Sequence, residues 1–83
     1  MQYTPGPWRQ TGVNIRAGDA LIAFATDHYA DEHLMESEKM ANARLIAAAP
    51  QLLRALQRLT HPAADDDDLA YALDVIRVAT GAP

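Results

Sequence analysis

The chain has 83 residues, seven Lys/Arg against eleven Asp/Glu, and no cysteine. That length allows a single domain, 1–83, and a domain so small buries only roughly 60% of the surface its unfolded chain exposes. With disulfides and Cys/His zinc spacings excluded, one small core, or a core shared between copies, has to hold the fold. Apolar residues reach 49%, but 17 positions are alanine, so large apolar side chains are scarce. No window approaches the ~18 consecutive apolar residues of a membrane span. The start, Met1–Pro5, has no basic segment followed by an apolar run, so a secretory leader is not expected and the chain reads as cytoplasmic. A net charge of −4 without any Lys/Arg run argues against wrapping duplex nucleic acid. Six of the seven basic residues are arginines, whose planar fork suits carboxylates and phosphates. A small anionic ligand therefore remains open.

In chain order, Thr4-Pro5-Gly6-Pro7 can be neither helix nor central strand and reads as a rigid turn. Trp8 follows and is expected to anchor that turn on the core. Residues 8–26 read as three short strands. Trp8–Gln10 leads into a turn at Thr11-Gly12, and Val13–Arg16 alternates apolar and polar. Ala17-Gly18-Asp19 supplies a hairpin turn. Ala20–Thr26 is apolar almost throughout, which predicts cover on both faces, by a helix on one and a second subunit on the other. Asp27–His33 is a polar link. From about residue 35 the period becomes helical, with Leu45, Ala49, Leu52, Leu53, Leu56 and Leu59 tracing one stripe. Pro50 interrupts it, yet the stripe keeps its phase and Ala49 is a poor cap, so one helix over 35–59, kinked at Pro50, is predicted. Thr60–Ala64 breaks the pattern. A last helix over 66–80 opens on Asp65–Asp68, turns Leu69, Leu73, Ile76 and Thr80 one way, and ends at Gly81, with Pro83 beyond. The predicted class is α+β: a small three-stranded antiparallel sheet, a long Pro-kinked helix, and a second C-terminal helix.

Clusters that resemble chemistry have plainer explanations. The four aspartates lack the alternate spacing, central glycine and distal glutamate of a calcium loop, and read as a helix start that caps and complements the dipole. His28, Asp31, Glu32, His33 and Glu36 are ligand types, but their spacing matches no helical metal site. The only serine is Ser37, and neither GxSxG nor a P-loop occurs. No catalytic residue, metal or cofactor is expected, and the chain does not read as an enzyme. The arginines are the stronger candidates. Arg54 and Arg58 are one helical turn apart, and Arg44 lies ten residues before Arg54, nearly three turns. Arg9 and Arg16 lie on the sheet, and Asn42 is two positions from Arg44. Their alternative use is as solvated partners of acids such as Glu38 or Asp74. The candidate ligand-binding set is Arg16, Asn42, Arg44 and Arg54, converging if a helix crosses the sheet of a neighbouring subunit.

Two segments taken together, Thr4-Pro5-Gly6-Pro7-Trp8 and Ala41-Asn42-Ala43-Arg44-Leu45-Ile46-Ala47-Ala48-Ala49-Pro50-Gln51-Leu52-Leu53, resemble a family of small accessory proteins encoded by bacteriophages and prophages. The resemblance spans most of residues 4–59 and leaves the acidic last helix outside. It implies a phage protein acting in the host bacterial cytoplasm, and proteins of that kind and size often act against host defence. The leading expectation is a homo-oligomeric, non-enzymatic sponge that sequesters a small nucleotide immune signal. The alternative is an inhibitor that binds a host defence complex such as a CRISPR effector, its acidic surface at Asp65–Asp68 and Asp74 imitating nucleic-acid phosphates.

Overall fold

The computed structural model describes residues 2–25 and 35–81. Three strands come first: β1 (Arg9–Thr11), β2 (Asn14–Ala17) and β3 (Ala20–Phe24). They form an antiparallel meander in the order β1-β2-β3. Both hairpins close through two-residue loops, Gly12-Val13 and Gly18-Asp19, and only the glycine of each has positive φ, the II′ arrangement whose twist matches the flanking strands. Ile15 lies opposite Ala23 while Arg16 lies opposite Leu21, which leaves Ile22 as an extra residue in β3. This bulge lets Ile22 and Ala23, adjacent in sequence, both pack on the core around Ile15.

Three helices follow, α1 (Glu36–Ala47), α2 (Ala49–Leu59) and α3 (Asp66–Thr80). The single kinked helix expected over 35–59 is thus two helices, broken at Ala48. Pro50 is the second residue of α2, where its missing N–H costs no intrahelical bond. Ala48 closes α1 instead of continuing it. Its N–H is shared between the carbonyls of Arg44 and Leu45, at 3.1 and 3.2 Å, while its own carbonyl accepts from Leu52 at 2.9 Å. The break also has a tertiary cause. A Cβ on Gly6 would lie 2.8 Å from the Pro50 Cβ, so the Pro-Gly-Pro turn, with a cis Gly6–Pro7 bond, sits directly on the proline ring. Trp8 donates its indole N–H to the Thr4 carbonyl at 3.0 Å, closing that turn on itself.

α3 forms as its sequence dictates. Asp65 accepts from the Asp67 and Asp68 N–H groups at 3.0 and 3.4 Å, and the Asp68 carboxylate accepts from the Asp65 N–H at 2.9 Å. This is a capping box built from two aspartates. Gly81 ends the helix in the left-handed conformation, φ +70°.

Two cores result. One gathers Ile15, Ala25, Ala43 and Ala47, with Trp8, Ile22, Ala23 and Ile46 against it. The other joins α2 to α3 through Ala55, Ala72 and Val75, flanked by Leu52 and Tyr71. Among the described residues, seven of the nine buried apolar side chains are alanines. This corrects the reading of the helical stripes. Leu45, Leu53, Leu56 and Leu59 are exposed, as are Leu69, Leu73 and Ile76; the alanine ridges face inward because a methyl group lets backbones approach closely. The sheet is covered by α1 on the Ile15 face. On the opposite face Leu21 and Phe24 are 50% and 58% exposed within the single chain. The polar link with His28, Asp31, Glu32 and His33, and Pro83, lie outside the described residues.

Candidate cleft between the sheet edge and the last helix

A cleft of about 440 Å³ lies where three elements meet. One wall is the free edge of the sheet at Trp8–Gln10. The floor is the α1–α2 break, with Arg44, Ala47, Ala48 and Gln51. The far wall is α3, with Tyr71, Asp74, Val75 and Val78. The size falls within the usual range for small-ligand sites, about 300–1,000 Å³.

Each polar group reaches the cleft for a local reason. Arg44 belongs to the last turn of α1 and reaches toward the end of α3. A Cβ at Gly81 would meet an Arg44 guanidinium nitrogen at 2.5 Å, so the glycine that ends α3 also makes room for this side chain. The last carbonyls of α3 carry partial negative charge there and favour a cation. Arg44 has no ion-pair partner among the described residues. Gln51 follows Pro50 in the first turn of α2. Its side-chain Oε1 is buried and has no hydrogen-bond partner among the described residues, which leaves a buried acceptor open to a donor. Tyr71 is held from the other side by Arg58, whose guanidinium lies 4.1 Å from the ring centroid. The same Arg58 donates to Asp68 at 2.8 Å. That bond, reinforced by the hydrogen bond from the Asp65 backbone, holds the Asp68 carboxyl below its ordinary value of 3.8.

Of the four predicted ligand-binding residues, the single chain brings only Arg44 into this cleft. Arg16 pairs with Leu21 on the sheet face away from α1 and donates to the Asp19 carbonyl at 3.3 Å. Asn42 is exposed on α1. Arg54 is exposed on α2 and lines two further hollows together with Gln57. Sequence reasoning missed Gln51, Tyr71 and the cleft-facing role of Trp8. A signal existed for one of them: Gln51 lies seven positions after Arg44, two helical turns, and both are polar exceptions in an alanine-rich stretch.

The four aspartates prove to be a helix start, with Asp65 and Asp68 occupied in the cap. Among the described residues, no three His, Asp or Glu side chains are grouped to hold a metal ion, and no helix is long and apolar enough to cross a membrane.

Fold and site together describe a small α+β protein with a cleft lined by the sheet edge, the α1–α2 break and α3. The chain belongs to the family of Salmonella phage P22 protein Y8K6, which matches it over residues 1–83. No curated protein and no solved structure matches it.

Proposed function

We propose that this phage-family protein works in the host cytoplasm by binding, without turnover, a small anionic ligand of the nucleotide class, and so sequesters a signal of host defence. The observation that carries the reading is the cleft at the α1–α2 break. It combines two aromatic side chains, Trp8 and Tyr71, with the Arg44 guanidinium and the Gln51 amide oxygen, neither of which has a side-chain ion-pair or hydrogen-bond partner among the described residues. Aromatic faces suit a base, a guanidinium fork suits a phosphate, and an unsatisfied amide acceptor suits an exocyclic amino group or sugar hydroxyl. The rival reading, an acidic surface that imitates nucleic acid against a host protein, has less support. Asp65 and Asp68 are tied up in the cap, Asp68 also pairs with Arg58, and Asp74 pairs with Arg77.

Calorimetric titration with cyclic dinucleotides, cyclic mononucleotides and cyclic ADP-ribose isomers tests the proposal. Saturable heat with at least one of them is expected. Arg44→Ala should weaken binding by about 1.5–3 kcal/mol, roughly 10- to 100-fold in Kd, the range for a charge-assisted hydrogen bond. Flat heats across the set remove the proposal. A stoichiometric host protein captured by the wild type and lost on mutating Asp66 and Asp67 would favour the rival.

A further inference from the structure

We propose that the outward face of the α2–α3 hairpin is a dimer interface, occupied by the same face of a second copy with the two α3 helices antiparallel. The hairpin closes on Ala55 against Ala72. Stepping 100° per residue from that contact places Leu52, Leu56 and Leu59 of α2 and Leu69, Leu73 and Ile76 of α3 on one side of the hairpin. Gln51, Arg58, Tyr71 and Val75 fall on the other side, as their contacts with the cleft and with one another require. In both helices the apolar residues repeat at i, i+4 and i+7, the spacing of a helical packing seam. All but the flanking Leu52 are between 40% and 60% exposed. A continuous aliphatic face contributed by two helices is what an isologous bundle buries.

The charge pattern makes a second copy the occupant. Asp66 and Arg77 lie on the same outer edge of the α3 stripe, at 120° and 140° on the wheel that puts Ala72 at zero, by the roughly 100° step per residue. They stand at opposite ends of the helix, and both are exposed. A two-fold axis crossing α3 near Ala72 brings Asp66 of one copy beside Arg77 of the other, twice per dimer. The parallel arrangement would instead put the two Asp66 at the same end on opposite edges of the seam, with Arg77 beside neither. The intrachain pair of Arg77 with Asp74 leaves donors of the five-donor fork free for a second carboxylate.

The test is the mass of the full chain in solution, by light scattering and sedimentation equilibrium at tens of micromolar without ligand. The expected mass is twice 9.0 kDa. Leu73→Glu, at an exposed position whose loss leaves the helical circular dichroism intact, is expected to return the single-chain mass. Asp66→Arg should weaken dimerisation about tenfold, because a surface pair of modest strength is lost twice, and adding Arg77→Asp should restore it. A wild-type chain at single mass would mean that some other partner takes this face, and would overturn the proposal. So would an oligomer indifferent to Leu73→Glu, or a double charge swap that fails to restore what Asp66→Arg removes. Because no ligand is present, failure here leaves the titration of the cleft untouched, and flat titration heats leave the dimer untouched.

Discussion

The sheet with α1 and the hairpin of α2 with α3 solve the same packing problem differently. The first encloses a large aliphatic side chain between α1 and one face of the sheet. Ile15, 0% exposed, is its centre, and Trp8, Ile22, Ala23 and Ile46 enclose it. The second packs alanine on alanine and turns its leucines outward. A buried methyl contributes far less transfer free energy than a buried leucine, about 0.8 kcal/mol against 1.5–3. The hairpin therefore holds together through close backbone approach, a capped helix start and the Arg58–Asp68 bond, while its largest apolar side chains remain available to a partner. The lesson is that a small, staple-free chain can enclose one large aliphatic side chain in one region and hold the other with small side chains, leaving larger ones exposed.

The sharpest way to break this contrast is to cut one large side chain from each region. Ile15→Ala removes the only large side chain that is fully buried among the described residues and should cost about 2–5 kcal/mol, a large part of what holds a domain of this size. Leu73→Ala, at a position 59% exposed, should cost under about 1 kcal/mol in dilute solution. Its cost should grow with protein concentration if a second copy covers it. Urea unfolding of both variants at two concentrations decides the matter. Equal, concentration-independent losses would mean that the two regions are not built differently.

A smaller effect tests what keeps the hairpin in place without a large core. The Asp65 side chain satisfies two backbone N–H groups at the start of α3. Asp65→Ala should destabilise the chain by about 1 kcal/mol, the usual cost of losing such a cap. Asp65→Asn should recover most of it, since the amide oxygen still accepts. A loss no greater than that of Asp67→Ala, at a position whose side chain caps nothing among the described residues, would show that the cap is idle.

How far the sequence foretold these regions follows from what marks them. The strands and their turns were legible because a glycine punctuates each hairpin. α3 was legible because aspartates and a glycine bracket it. The break at Ala48 was not, since the leucine stripe runs through Pro50 in phase and nothing local announces that Gly6 will press on that proline. Nor was the inward face. α2 and α3 each carry buried alanine beside a stripe of larger apolar residues, and a hydropathy argument chooses the stripe. In the cleft, Arg44 could be picked as a cation in an alanine run. Arg16 joined it only on the expectation that a neighbouring subunit's helix crosses the sheet; within one chain it lies on the face opposite Ile15. Trp8 and Tyr71 come from opposite ends of the chain, and only the folded arrangement brings them to one cleft.

The smallest effect is the most local, and it separates the hairpin from the sheet by pH. The Asp68 carboxyl is held below its ordinary value chiefly by the Arg58 hydrogen bond and then by that of the Asp65 backbone. A carboxyl whose folded value is depressed contributes stability that is fully present above its unfolded value, about 3.9. That contribution disappears as pH falls through the lower folded value. The change belongs to the aspartate. In urea melts followed by circular dichroism, wild type should exceed Asp68→Asn in stability at pH 6, and the gap should narrow steadily below about pH 4. The sheet supplies the control. Trp8 is the chain's single tryptophan and packs on the Ile15 core, so its emission at low pH and without urea should match in the two proteins. A gap that stays constant from pH 6 to low pH would show that the Arg58–Asp68 bond does nothing for stability beyond what an amide does. The hairpin would then rest on its alanine contacts and its cap alone.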